Sequence, residues 1–215
     1  MARTFQFAAF ASLAVALAMA GIHEAANAQM DHNQRRAALM DAKTAAEAGD
    51  YADAVEALQP LADAGDPIAL YSLGILYSAG GKDLPKDYGK AMSWFLKAAE
   101  KRDAGSMRQV AIAHEKGLGV PANPASAVDW YGRAADRGDA LAQLNLGIMR
   151  AKGEGAPQDP VGAYKWFTLA SNGIFYDNEE AKRAETKTSR IQLASKMSPP
   201  QIQQAEKQAR EWSAK

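Results

Sequence analysis

Apolar residues recur along most of the chain at the three- and four-residue spacing that places them on one side of a helix. The segment from Trp94 to Ala99 is the clearest case, and it returns around Trp130 and again around Trp166. Both steps are 36 residues long. A fixed period of this length is typical of stacked helical hairpins, because one hairpin cannot bury its own apolar face. The pattern therefore predicts an all-α repeat protein.

Three consecutive repeats, each made of a helix A, a loop and a helix B, are predicted at residues 66–102, 103–138 and 139–173. In this register Leu73 matches Val110 and Leu146, and the first loop carries one extra residue. The predicted A helices cover residues 67–78, 105–116 and 141–152, and the predicted B helices cover residues 87–101, 124–137 and 160–172.

Helical segments also flank the repeats on both sides. A first hairpin is predicted within residues 29–65, and we expect Pro60 to bend its second helix without ending it, because the apolar spacing continues. Two further helices are predicted within residues 174–215, the second after a capping box formed by Ser198 and Gln201. Since the ends of a repeat array need a more polar surface, we interpret both flanking segments as caps.

Small, aromatic and capping residues recur in the same register as the helices. Gly74 is predicted to let two helix backbones approach closely, while Trp94 and Phe95 are predicted to fill the space between neighbouring hairpins. Asn123 and Asp159 each precede a proline at the first helical turn, and they are predicted to cap the B helices that follow.

The motifs of the repeats resemble the Sel1-like repeat, which is related to the tetratricopeptide repeat. The resemblance rests on Leu-Gly-x-x-Tyr-x-x-Gly at 73–80, Gly-x-Gly-Val-Pro at 117–121 and Ala-x-x-Trp-Tyr-x-x-Ala-Ala at 127–135. The first hairpin resembles a tetratricopeptide hairpin. This resemblance implies a right-handed α-solenoid of stacked helix-turn-helix repeats with capping helices, which binds other proteins. His114 and Arg150 depart from the pattern, because they stand where the family has tyrosine.

The amino terminus has the features of an export signal. An uncharged apolar run covers residues 7–22, and Ala-Asn-Ala at 26–28 offers small residues at both positions of a cleavage site. We expect a signal peptide at residues 1–28, a mature chain that begins at Gln29, and a periplasmic or secreted location. A retained membrane helix is the alternative, but the run is shorter than the ~20 residues that a span needs. No stable membrane anchor is therefore expected after cleavage.

Composition narrows the chemistry that the chain can carry. Lys plus Arg and Asp plus Glu number 25 each, and this balance gives no support for a nucleic acid as partner. The absence of cysteine excludes disulfides, thiol catalysis and thiolate metal sites. His23, His32 and His114 are too few and too scattered for a metal site or a Ser-His-Asp triad. We expect no cofactor, no metal and no catalytic residues.

Three features leave other functions open. Gly-x-Gly pairs at 117–119 and 153–155 resemble part of a phosphate loop, but neither completes the motif and no strand precedes them, so we interpret them as turns. Glu47, Asp50 and Asp53 lie near one turn, where helix capping is the simpler interpretation. The recurring tryptophans could stack on sugars, although their register favours the core. An enzyme or binding protein that acts on cell-wall or carbohydrate material is therefore the alternative to a binding scaffold.

The A helices supply the predicted binding surface. With Leu73 at the centre of the buried side, a rotation of 100° per residue places Tyr71 and Ile75 on the other side. In the family that the chain resembles, the A helices line the concave surface, so these positions are predicted to form a groove for a protein or peptide. The equivalent isoleucines would form an apolar stripe, with packing against adjacent helices as the alternative. The predicted groove residues are Tyr71, Ile75, Arg108, Gln109, Ile112, Leu144, Asn145 and Ile148.

Overall fold

The computed structural model describes residues 32–173 and 180–213, and all regular secondary structure in these ranges is helical. The predicted signal peptide lies outside the described residues. Ten helices follow one another within them: α1 (His32–Ala48), α2 (Tyr51–Asp63), α3 (Pro67–Ala79), α4 (Tyr88–Glu100), α5 (Ala104–Lys116), α6 (Pro124–Asp136), α7 (Ala140–Lys152), α8 (Pro160–Asn172), α9 (Glu180–Ala194) and α10 (Pro199–Arg210).

The helices form a linear stack of hairpins. Within hairpins, α1 packs on α2, α3 on α4, α5 on α6 and α7 on α8. Between hairpins, each second helix packs on the first helix of the next hairpin. In this order of contacts every hairpin buries its apolar side against its neighbour, which is the arrangement of an α-solenoid. The predicted fold class is confirmed.

An aspartate caps the start of each A helix in the three repeats. Asp66 Oδ1 accepts hydrogen bonds from two backbone N–H groups of α3, at 2.9 and 3.1 Å. Asp103 and Asp139 cap α5 and α7 in the same way, at 2.6 and 2.7 Å. The predicted caps of α6 and α8, Asn123 and Asp159, are confirmed, with bonds of 3.1 and 2.8 Å. These side chains satisfy N–H groups that have no partner within the helix, and so they fix where each helix begins.

Close contact between an A helix and its B helix depends on glycine in the first and third repeats. A Cβ atom on Gly74 would lie 2.4 Å from the ring of Phe95, and one on Gly147 would lie 2.6 Å from the ring of Phe167. Both rings are buried. At Gly74 the close approach is therefore between the α3 backbone and an aromatic ring, and not between two helix backbones as predicted, and no side chain would fit between this backbone and the ring.

The two adjacent aromatic residues of the repeated motif differ in burial. Trp166 is buried, but Trp94 and Trp130 are only half-buried. Lys97 Nζ lies 4.1 Å from the centre of the Trp94 ring, and the Arg133 guanidinium lies 4.4 Å from that of Trp130. The prediction that the tryptophans fill the core is thus confirmed only for Trp166. The second aromatic residues of the motif are the ones buried in every repeat, namely Phe95, Tyr131 and Phe167.

Two helices close the carboxyl end of the stack, and both pack on α8. Ala205 and Ala209 are the buried residues of α10. Beyond the end of α10, Trp212 meets Trp166 edge to face, with ring centroids 6.5 Å apart. Leu193 of α9 packs against the last core cluster. This cover explains why Trp166 is buried while the equivalent tryptophans are not.

The extra residue in the first loop has a structural role. Asp83 accepts hydrogen bonds from the N–H groups of Tyr51 at 3.2 Å and Ala52 at 3.0 Å, so this loop caps the start of α2. The bond from Ala52 is the main cause that lowers the pKa of the Asp83 carboxyl. Leu84 is buried in the core cluster of the first hairpin and repeat. The loop therefore binds the first hairpin to the repeats. As predicted, α2 continues through Pro60.

Candidate functional site

The predicted groove residues lie on α3, α5 and α7. The side of these helices that carries them, together with the adjoining side of α1, is called the A face below and has two neighbouring clefts. The apolar cleft, of about 390 Å³, lies between α1 and α3 and is lined by Leu39, Ile68 and Ile75 among others. The polar cleft, of about 600 Å³, lies at the starts of α5 and α7 and includes Arg108. Tyr71 lines both clefts, so they are adjacent.

The apolar cleft offers a large exposed aliphatic side chain above a buried floor. Ile68 is 52% exposed, whereas Leu58 and Leu76 beneath it are buried. Among the residues that line the cleft, Lys43 alone is charged. A concave apolar surface with one charged group at its edge is typical of a site that holds the apolar side chain of a ligand.

In the polar cleft Arg108 and Asp139 form an ion pair. Arg108 Nε lies 3.0 Å from Asp139 Oδ2, and both side chains are largely buried, with 17% and 13% of their surface exposed. An equivalent ion pair joins Arg35 of the first hairpin to Asp66 at the start of the first repeat. Because each aspartate also caps the next A helix, every pair ties one A helix to the start of the following one.

These ion pairs were not predicted from the sequence. Arg108 was predicted to bind a partner, but the structure places its guanidinium against Asp139. Arg108→Ala is therefore expected to lower stability, whether or not the residue also contacts a partner. The spacing is a signal that was available, since 31 residues separate the arginine from the capping aspartate in both pairs.

Leu144 does not belong to the A face, and its assignment to the groove is wrong. The side chain is fully buried in a cluster with Ala163 and Phe167, and Leu193 of α9 packs against the same cluster. The reason lies in its position in the stack. Since α7 is the last A helix of the repeats, the terminal helix packs beside a position that is only partly buried in the earlier repeats.

The three equivalent isoleucines are half-buried, and each packs against a different core cluster. Ile75 also lines the apolar cleft. Ile112 and Gln109 line a smaller cleft of about 200 Å³ beside α4. Ile148 packs against the last cluster, next to α9. The isoleucines therefore have separate surroundings, and their role in binding a partner stays a prediction.

A buried tyrosine hydroxyl links α5, α6 and α7 beneath the A face. The hydroxyl of Tyr131 donates to Glu115 Oε2 at 2.5 Å, and the side chain of Asn145 also bonds to this hydroxyl. Burial, followed by the bond to Glu115, raises the pKa of Tyr131 above its ordinary value. Asn145 was predicted to orient a partner, and the structure gives it a partner within the protein.

The described residues give no sign of a metal site or a membrane span. In the ranges 32–173 and 180–213, no group of three or more His, Asp or Glu side chains is arranged to hold a metal ion. Of the helices in these same ranges, none is long and apolar enough to cross a membrane. Lysine or arginine side chains lie over the rings of Trp94, Trp130 and Trp166, on a face that a stacked sugar would need.

Stacked two-helix repeats with small and aromatic residues at their contacts place the protein among the helical repeat solenoids. Within that class, the Sel1 repeat matches residues 67–103, 104–139 and 140–174, which together make up half of the chain. The protein belongs to the Sel1 repeat family. Sel1-repeat proteins serve as scaffolds for protein interactions, and they are generally non-catalytic.

The chain is also similar to individual proteins. A Sel1 repeat protein from Oxalobacter formigenes superposes with a TM-score of 0.59 at 24% identity, over 79% of this chain and 73% of that one. Cysteine-rich protein B of Helicobacter pylori gives a TM-score of 0.45 at 21% identity, over 64% of this chain and 91% of its own. The HRD3A component of an ERAD-associated E3 ubiquitin-protein ligase of Arabidopsis thaliana is 32% identical over 71 residues. Those residues are 33% of this chain, and the chain spans only 10% of the length of HRD3A.

Proposed function

We propose that this protein is an exported scaffold that binds another protein or a peptide on its A face and has no catalytic activity of its own. The observation that carries the proposal is the adjacency of the two clefts at Tyr71. An extended or helical segment could place an apolar side chain against Ile68 and Ile75 while its polar groups reach the polar cleft. Peptide-binding surfaces commonly combine an apolar anchor with polar groups that fix orientation.

Membership of the Sel1 family supports this proposal, because its members bind other proteins. Burial supports it as well. A residue inside the core of a solenoid is covered by the next repeat, whereas Ile68 remains half-exposed at the opening of a cleft. Exposed apolar groups in concave positions are more typical of binding sites than of ordinary surface.

The test compares two exposed apolar positions on different faces. Ile68→Asp places a charge in the apolar cleft, whereas Leu96→Asp is the matched control on α4, where Leu96 is 36% exposed. A photo-reactive residue in place of Ser72 in the apolar cleft should give a specific crosslinked partner in living cells, and one in place of exposed Ser93 on α4 should not. Ile68→Asp should abolish the crosslink from position 72, and Leu96→Asp should leave it unchanged.

Two results would contradict the A-face assignment. One is a crosslinked partner that appears equally from positions 72 and 93. The other is a crosslink that survives Ile68→Asp in a protein whose circular dichroism and melting match the wild type. Because both substituted side chains are exposed in the structure, unfolding is not the expected cause of any loss.

The export part of the proposal rests on the apolar run and the cleavage site in the sequence. Amino-terminal sequencing of the protein from the periplasm or the medium should begin at Gln29. A protein recovered in the membrane fraction with Met1 and Arg3 still attached would show that the segment is an anchor.

A further inference from the structure

The two ends of the helical stack carry opposite formal charge. From His32 to Asp63 the first hairpin has six acidic and three basic residues. From Glu180 to Lys196, a segment that contains α9, there are five basic and two acidic residues. Because the net charge of the whole chain is zero, this is a separation of charge along the stack.

At the acidic end, the charges lie on the surface of the first hairpin, where Lys82 of the first loop pairs with Asp50 and also interacts with Asp53. Asp53 and Glu56 are exposed on α2, and the helical rotation places them opposite buried Leu58. Within the described residues, no cation lies within ion-pair distance of either carboxylate. Met40 on α1 is 54% exposed and lies opposite buried Ala42. The acidic end thus combines unpaired carboxylates with an exposed apolar side chain.

The basic end has the complementary composition. Lys187 and Arg190 lie on α9, and in the part of the chain that the structure describes no carboxylate pairs with either of them. Ile191 is 58% exposed and lies one helical turn from Lys187. The described residues have four exposed large hydrophobic side chains, and Met40 and Ile191 place one of them at each end of the stack.

We propose that the protein associates head to tail, with the acidic end of one copy docked on the basic end of a second copy. Opposite charges bring the two ends together, and burial of Met40 and Ile191 contributes a central apolar contact. The two patches differ, so each contact leaves one free end on either copy and further copies can be added. Exposed ion pairs are weak and screened by salt, so the association should be strong only at low ionic strength.

A second copy fits these observations better than an unrelated acidic protein. An acidic protein would need only the α9 surface, and it would leave the unpaired carboxylates and Met40 of the first hairpin without a role. Self-association uses both ends and requires both charges. This requirement gives a test in which the charge of each end is reversed in a separate variant, and the two variants are then mixed.

The experiment measures sedimentation velocity of the purified protein as a function of its concentration. The wild type should show an average sedimentation coefficient that rises with concentration at about 20 mM salt and stays constant at about 500 mM. Asp53→Lys with Glu56→Lys makes both ends basic, and Lys187→Glu with Arg190→Glu makes both ends acidic. Each double variant alone should self-associate at least tenfold more weakly than the wild type. Mixed in equal amounts they should associate again, because the acidic first hairpin of one meets the basic α9 of the other.

The matched control changes the net charge by the same amount as the Lys187 and Arg190 variant, at other positions. Lys101→Glu with Lys116→Glu alters two exposed lysines of the repeats, and this variant should associate like the wild type. A wild type that is monomeric at every concentration at low salt would overturn the proposal. So would a mixture of the two end variants that stays monomeric, or a control that dissociates as they do. Ile68→Asp should leave self-association unchanged, so the result is independent of the A-face proposal.

Discussion

At Gly74 the backbone of α3 runs against the ring of Phe95, which is itself buried. A methyl group at this position would lie 2.4 Å from a ring atom, far inside van der Waals contact. We therefore expect Gly74→Ala to lower the free energy of unfolding by about 2 kcal/mol, in the range for overpacking a core. Urea denaturation followed by circular dichroism measures this change.

Gly132 provides the control for this substitution. It lies inside α6, and a Cβ atom there would meet no heavy atom within 4 Å. Gly132→Ala should therefore raise stability by about 0.5–1 kcal/mol, because alanine is the better helix former and no contact is disturbed. If both substitutions raised stability equally, the close approach of α3 to Phe95 would be disproved.

Tyr131 should make the protein sensitive to alkaline pH. Burial raises the pKa of its hydroxyl in the folded state, while the unfolded chain ionises near the ordinary value of about 10. A group whose pKa is raised by folding contributes stability below the unfolded pKa and loses it as the pH rises toward the folded pKa. The stability advantage of the wild type over Tyr131→Phe should therefore shrink above about pH 10.

Urea melts at several values between pH 8 and 11 measure this difference. Tyr88→Phe is the control, because its half-buried ring lies at the start of α4, outside the network with Glu115. A constant difference between the wild type and Tyr131→Phe over this whole range would show that the hydroxyl is not isolated from solvent.

At the scale of single helices, α10 replaces the repeat that would otherwise follow α8. Its contact with Trp166 is completed by Trp212, whose indole N–H is buried and has no hydrogen-bond partner among the described residues. Trp212 is half-buried and Trp166 is buried. Trp166→Ala should cost about 3–5 kcal/mol, and Trp212→Ala should cost less, about 2 kcal/mol.

A conservative substitution of Trp212 separates the effect of its aromatic ring from the effect of its N–H group. Trp212→Phe keeps an aromatic ring against Trp166 and removes the unpaired N–H group, so it should cost less than Trp212→Ala. Denaturant melts of the three variants rank their losses in the free energy of unfolding. Equal losses for Trp166→Ala and Trp212→Ala would mean that the contact between them accounts for the whole effect.

The helices themselves were predictable from the sequence, and their contacts only in part. The period of 36 residues fixes the order of A and B helices, because equivalent positions must have equivalent roles in a stack. Periodicity does not show how far each tryptophan reaches past the neighbouring helix. It therefore could not tell half-buried Trp130 from buried Trp166, since the difference depends on the packing of α10.

For the whole molecule, the candidate site was predictable as a face and not as a set of residues. Helical rotation placed Tyr71 and Ile75 on the side where the apolar cleft lies. It could not find that Arg108 is held by Asp139, because that contact joins two repeats and is indicated only by the 31-residue spacing between the arginine and the aspartate. It also treated the last repeat like the others, although α9 covers Leu144 there. Contacts between repeats and at the ends of the stack are thus what a single-repeat pattern leaves undetermined.

Stability should vary along the stack in the same way that burial does. Among the described residues, α1 and α9 have one buried residue each, Ala42 and Thr186, whereas α7 has seven. In a linear array each hairpin is stabilised by its neighbours, so the ends open more easily than the middle. In native-state hydrogen exchange, amide hydrogens of α1 and α9 should exchange at least tenfold faster than those of α6 and α7. The measurement is made at low protein concentration and high salt, because these conditions suppress any head-to-tail association. Met149→Ala should reduce protection in α5 to α8 together and leave α1 nearly unchanged. Equal protection in all ten helices would show instead that the stack opens as one cooperative unit.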